Sequence, residues 1–142
     1  MVDVNRWKQQ NVAVIAEFRA NAGVVGGPYA GRPLMLLTTK GAKSGQERIT
    51  PLNYSTDGDR IAVIASRGGA PTHPDWYRNL VANPEVTVEV GAERYRARAR
   101  TAQEPERTRL FDQQATLMPF FDAYRKQVTA REIPVVVLER LD

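Results

Sequence analysis

"LMLLTTKGAKSGQERITPL" (residues 34–52) sets an apolar run, a glycine-punctuated basic turn and a second extended run in succession. The residues after the turn decide the fold. A P-loop would place glycine at positions 37 and 42 ahead of Lys43 and Ser44, and would then open a helix. The chain has Leu37 and Ala42 there and continues into "ERITPLN", so no helix N-terminus awaits a phosphate. Strand, turn and strand make a hairpin, hence an antiparallel sheet. A parallel neighbour would need a crossover of about a dozen residues or more.

Working outward, the extended reading runs over 47–55, and "DGD" at 57–59 signals a second hairpin into "RIAVIAS" (60–66). "EVTVEV" (85–90) alternates, as does "ERYRARART" (93–101), with Arg94, Arg96, Arg98 and Arg100 on one face and Tyr95, Ala97 and Ala99 on the other. "IPVVVLERL" (133–141) reads as a final strand. Residues 4–21 carry a helical stripe of Val4, Trp7, Val14, Ile15 and Phe18, stopped by Gly23. Pro74 starts a short helix in "PDWYRNLVAN", and Pro105 opens a longer one that Pro119 breaks. The order is helix, three strands, short helix, two strands, helix, strand. This predicts one α+β domain over 1–142, mainly antiparallel and able to curl into a barrel, with residues 1–30 forming an N-terminal helix and loop.

Of 142 residues, 42% are hydrophobic and 25% charged, the mix of a soluble globular domain. No apolar run approaches the roughly 18 residues of a membrane span. No basic n-region leads an apolar h-region at the N-terminus, so a cytoplasmic protein is expected. A peripheral membrane contact through the N-terminal helix is the alternative, which its mixed polarity supports poorly. Without cysteine, and with His73 as the sole histidine, thiol chemistry and a metal centre are not expected. The formal charge of +4 favours an anionic partner.

Two loops are candidates to hold that anion. Gly41 and Gly45 can set backbone N–H groups in an anion-facing nest beside Lys43, Ser44 and Arg48; a solvated turn is the plain alternative. The stretch 65–79, "ASRGGAPTHPDWYRN", offers Ser66, Arg67, two glycines and Arg78, and its Trp76 either covers a planar ring or anchors the short helix. Converging on one barrel edge, the loops would suit a planar ligand bearing phosphate. The arginine ladder at 94–100 reads as a solvated face. No base-stacking aromatics are interleaved with it, so nucleic acid is not an expected partner. Met118, Phe121 and Tyr124 fall at helical spacing, either as core or as the wall of an apolar pocket.

The stretches "LLTTKGAKSGQERITPLNY", "DGDRIAVIASRGGAPTHPDWYRNLVANPEVTVEV" and "IPVVVLER" resemble the deazaflavin-dependent nitroreductase family, also called F-420-dependent quinone reductases. The shared features, from Leu34 to Arg140, are a G-x-K-S/T-G-x-x-R turn, AS-[KR]-GG and P-x-WY-x-N-L-x-ANP-x-V. The resemblance implies a split β-barrel of the flavin-mononucleotide-binding oxidoreductase type, with flanking helices, that holds coenzyme F-420 and no metal. It implies hydride transfer from the reduced cofactor to a small apolar electron acceptor such as a quinone, an activated enone or a nitro compound. Ala42, Lys43, Ser44 and Arg48 are then expected at the cofactor's phosphate and glutamate tail, and Ile49, Thr50, Pro51, Leu52 and Asn53 along the ring. Ile64, Ala65, Ser66 and Arg67 would meet the ring and linker, and Asp75, Trp76, Tyr77, Arg78 and Asn79 would close the other side. Asn53, Met118, Phe121 and Tyr124 would line the substrate pocket, with Ser66, Tyr124 or water supplying a proton. The alternatives are the same barrel using flavin mononucleotide, or a non-catalytic protein that binds the cofactor or a fatty acid. Neither the oligomeric state nor the physiological acceptor is readable from the residues.

Overall fold

The computed structural model describes residues 4–141, and side chains from Asn11 onward. Among these residues seven strands pair side by side, each antiparallel to its neighbours: β1 (Leu34–Lys40), β2 (Glu47–Asn53), β3 (Ser55–Asp57), β4 (Arg60–Ile64), β5 (Glu85–Val90), β6 (Glu93–Thr101) and β7 (Val135–Arg140). Helices α1 (Val4–Ala20), α2 (Asp75–Ala82), α3 (Glu106–Leu117) and α4 (Phe120–Gln127) surround them, with 3-10 turns at Gly27–Tyr29 and Arg67–Gly69. Val4 and Trp7 of the expected α1 stripe lie outside the described side chains.

The strand order is β2-β1-β5-β6-β7-β4-β3. The two edge strands of this row, β2 and β3, are joined through Tyr54 alone. Three consecutive residues span at most about 7 Å between their outer Cα atoms. The sheet must therefore roll until its edges meet, and β2 and β3 form no ladder at the seam. The result is a mainly antiparallel split barrel.

Two details differ from the sequence reading. The run 47–55 is not one strand: β2 follows β1 as far as Asn53 opposite Leu34, while Ser55 already pairs with Ala62 of β4. The chain changes partner across Tyr54, giving four strands before α2 rather than three. Beyond Pro119 the chain also resumes as a separate helix, α4, which the expected element order lacks.

Alternation along the strands builds three apolar layers. Met35, Leu37, Ile61, Val63, Val86, Val88, Val136 and Leu138 fill the lumen, and Trp76 and Leu80 of α2 pack into the same cluster. Ala62, Ile64, Val135 and Val137 point outward, where Leu110, Phe111 and Phe121 of α3 and α4 cover them. Leu34 and Leu36 face Phe18 of α1 on the other flank. Strands covered on both faces must be apolar throughout, which explains "LMLL" and "VVVL".

α1 ends where the Gly23 amide donates to the Phe18 carbonyl at 2.8 Å, with Ala22 (φ 51) and Gly23 (φ 93) left-handed. This terminus docks against the β5–β6 turn so closely that a Cβ on Gly23 would lie 2.7 Å from Gly91 Cα. Arg19 of α1 then clasps Glu89 of β5 with two hydrogen bonds, of 3.0 and 2.9 Å.

Candidate active site

The β1–β2 loop is held by its own backbone. The Gly41 amide donates to the Gln46 carbonyl (2.7 Å) and the Gly45 amide to the Gly41 carbonyl (3.0 Å). Ser44 Oγ accepts the Gln46 amide at 3.2 Å and keeps its own proton to donate. A Cβ on Gly41 would come within 2.5 Å of that Ser44 Oγ, so a side chain there would displace the Ser44 hydroxyl from the turn. Ala42, Lys43, Ser44 and Arg48 are exposed.

Asn79 of α2 fastens this loop to the barrel end. Its Oδ1 accepts the Ala42 amide (3.0 Å) and its Nδ2 donates to Thr39 Oγ1 (3.2 Å). The residue is buried, and its bond to Thr39 is shielded from water. α2 is thus the bridge between the two loops: its far face grips the first, and its own entry is the second.

The second loop leaves β4 and passes under α4. Ser66 is buried; Arg67 and Gly68 are exposed, and the Arg67 guanidinium donates to Thr72 Oγ1. Gln127 Nε2 donates to the Gly69 carbonyl at 3.2 Å, and a Cβ on Gly69 would lie 3.1 Å from Gln127 Cδ and 3.2 Å from Tyr124 Cδ1. Ser66 and Tyr124 thereby belong to one loop–helix junction. His73 packs its ring 5.0 Å from that of Tyr77, whose hydroxyl hydrogen-bonds Thr101 Oγ1 at 3.0 Å. Burial, then the charges of Arg131 and Arg78, lower the His73 pKa from its ordinary value.

The other expected residues divide by face. Trp76 is 7% exposed within the lumen cluster, the anchoring arrangement of the two considered. Leu52 also packs on the lumen cluster, whereas Ile49 packs beneath α1. Strand alternation therefore splits the run 48–53, and its side chains do not share one surface. Asn53 Oδ1 is buried without a hydrogen-bond partner. Ile64, Met118 and Phe121 are buried in the layer between the sheet and α3–α4, with Tyr124 partly buried against it. Ala65 is fully buried, while Asp75 and Arg78 lie exposed on α2.

Charge pairing separates the two flanks of the molecule. On the α3–α4 flank, Asp57 meets Arg60 and Arg109, Glu106 meets Arg60 and Arg100, and Arg125 meets Asp112 and Asp122. The arginine ladder is partly neutralised too, by Arg96 with Glu85 and Arg100 with Glu139. A surface depression of about 300 Å³, lined by Asp112, Asp122 and Arg125, belongs to that compensated flank. By contrast Lys40, Lys43 and Arg48 of the first loop, and Arg67 and Arg78 of the second, form no ion pair among the described residues. Five cations left without carboxylates around glycine turns fit a ligand that brings its own negative charge.

Two residues here carried no sequence signal. Arg131 reaches back beneath the second loop to partners 58 to 66 positions away, a separation that leaves no local pattern. Gln127 reads as one more polar helix residue until the fold sets it on Gly69. Among the described residues, no group of three or more His, Cys, Asp or Glu could hold a metal ion, and no helix is long and apolar enough to cross a membrane.

Comparison with known proteins agrees with this geometry. The family model described as F-420H(2)-dependent quinone reductase matches residues 8–140. An F-420H(2)-dependent quinone reductase of Mycobacterium tuberculosis is 38% identical over 149 residues, covering 98% of this chain and 99% of its own. A solved F-420-H2-dependent reductase, FDR-A, superposes with a TM-score of 0.70 at 38% identity, over 76% of this chain and 95% of that one. A structure described as a domain-swapped dimer gives 0.72 at 33% identity, over 96% and 100%. Matched along nearly its whole length, the chain belongs to the F-420H(2)-dependent quinone reductase family and is an F-420H2-dependent reductase.

Proposed function

We propose that this reductase delivers the hydride of reduced F-420 to an apolar, quinone-like electrophile, with activated enones and nitro compounds as further acceptors. The observation that carries the proposal is the set of unpaired cations on the two loops. When bound, F-420 supplies the hydride from C5 of its deazaflavin ring, which leaves the protein to bind, orient and shield. Lys43, Ser44 and Arg48 offer two charges and a free hydroxyl proton to the phosphate and tail carboxylates. The exposed turn at Arg67 and Gly68 and the exposed face of α2 at Asp75 and Arg78 would border the ring and linker, and holding the ring in near-attack geometry against the acceptor lowers the barrier. Asn53 ends β2 beside the seam and is the strand residue proposed to meet the acceptor. The Ser66 and Tyr124 hydroxyls, at the junction of loop and helix, are the proton sources for the reduced product.

Titration with oxidised F-420, followed by its fluorescence, tests the cofactor half of the proposal; absence of saturable binding at micromolar cofactor overturns it. Lys43→Ala together with Arg48→Ala should weaken binding by about tenfold or more, since a hydrogen bond to a charged group contributes about 1.5–3 kcal/mol before solvent screening. A panel of quinones, enones and nitro compounds with reduced F-420 tests the acceptor half. Tight binding with no acceleration of cofactor oxidation by any of them would make the protein a binder rather than a catalyst.

A further inference from the structure

Arg131 lies between α4 and β7, and its guanidinium meets no carboxylate among the described residues. Nη1 instead donates to the Ala65 carbonyl at 3.1 Å and stands 3.0 Å from His73 Nδ1. Nη2 donates to the carbonyls of Ser66 (2.9 Å) and Ala70 (3.0 Å). Arginine has no acceptor, so His73 Nδ1 accepts and the ring proton of neutral His73 sits on Nε2. Arg131 Nε is closed off from solvent and has no partner. Burial, and then the charge of Arg67, lower the pKa of Arg131 from the ordinary arginine value, as befits a cation held without a counter-charge.

Four acceptors between residues 65 and 73 are thus drawn inward onto one planar group. With its carbonyls so turned, the chain steps from right-handed Ser66 (φ −79, ψ −28) to left-handed Arg67 (φ 50) and Gly68 (φ 62). A right-to-left step points successive N–H groups to one side, the geometry of an anion-binding concavity. The amides of Ser66, Arg67 and Gly68 donate to no protein group among the described residues, whereas those of Gly69 and Ala70 close back on Ser66 and Arg67. A left-handed arginine is strained and keeps that conformation only where its surroundings impose it.

We infer that Arg131 is the positioning residue of this loop: it fixes residues 65–73 in the shape that presents the amides of 66–68, and it sets a half-buried charge without a carboxylate partner beneath them. Its relevance to catalysis rests on the proposed cofactor site, but its hold on the loop exists without any ligand. The planar fork matters as much as the charge, because a lysine ammonium cannot reach three carbonyls and a ring nitrogen that lie around one plane.

Arg131→Lys and Arg131→Ala separate these roles in two measurements. Amide hydrogen exchange without cofactor reads the loop: Gly69 and Ala70 should exchange about tenfold faster or more in both variants, while β1 and β5 keep their protection. Titration with oxidised F-420 reads the grip, and affinity should fall by about tenfold in both, with methylguanidinium restoring part of it to Arg131→Ala. Such rescue would not follow from a general loss of stability. Wild-type exchange at 69 and 70 in Arg131→Lys, or exchange raised evenly through the barrel, overturns the inference. A loosened loop that binds F-420 with unchanged affinity overturns its link to the cofactor. If the wild-type protein binds no F-420, the cofactor reading fails, and the exchange data still decide what Arg131 does.

Discussion

His73 shows how much one side chain can report. Its Nδ1 accepts from the Arg131 guanidinium, so a proton on that nitrogen would set two donors against each other. Its folded pKa is depressed, chiefly by burial, below the value of about 6.5 it has in an unfolded chain. The unfolded state therefore takes up the proton first. The stabilising contribution is fully present above about pH 6.5 and is lost as pH falls through the lower folded value. Scanning calorimetry from pH 7.5 to pH 5 should show the melting temperature falling, and His73→Asn, which offers an acceptor that does not titrate, should flatten that slope. An identical slope in the variant would assign the dependence to another group.

At the scale of elements, the docking of α1 turns on a contact between two glycines. Gly23→Ala adds a Cβ 2.7 Å from the Gly91 backbone at φ 93, whereas Gly27→Ala has φ 61 and nothing within 4 Å. Both incur the left-handed penalty of about 1 kcal/mol or more, but only the first must also push α1 off the β5–β6 turn. Urea unfolding should place Gly23→Ala below Gly27→Ala in stability by about 1–3 kcal/mol. Equal losses would mean that the helix terminus yields freely. Elements of this kind were largely legible in the sequence. Period-two alternation marks β5 and β6, unbroken apolar runs mark β1 and β7, and Gly23 marks the end of α1. The break at Tyr54 was not, because a tyrosine between Asn53 and Ser55 continues a good extended pattern and only the change of pairing partner reveals it. α4 was legible as the helical spacing of Phe121 and Tyr124, but the proline before it kept it out of the element order.

For the whole molecule, the segregation of charge has a consequence for acid stability. Hydrogen bonds from Arg109, then Arg60, hold the Asp57 carboxyl down to about 2. A depressed carboxylate stabilises the fold above its unfolded value of about 3.9, and that contribution drains away as pH falls toward 2. Denaturant midpoints measured between pH 5 and pH 2 should fall in the wild type and fall less steeply in Asp57→Asn; parallel curves would show that α3 is secured by its apolar face alone. The two basic loops have no such acidic partners, and this asymmetry is why the candidate site was readable at all: glycine and unpaired charge are local signals. Features that depend on distant partners were not readable. Trp76 on a short amphipathic helix suits a ring or a core equally well until the barrel end is seen, and Arg131 acts across some sixty residues.

The seam at Tyr54 carries a consequence for adaptation. Everywhere else, widening the barrel would mean breaking a ladder of backbone hydrogen bonds, but between β2 and β3 there is none to break. Residues inserted at that junction would let the edges part like a cuff let out at its one unsewn side, enlarging the lumen while every strand pair keeps its register. The point of least resistance also lies one residue from Asn53 and its unsatisfied carbonyl oxygen. Insertions and deletions at the seam are therefore a route by which a scaffold of this kind can acquire bulkier acceptors without surrendering its core.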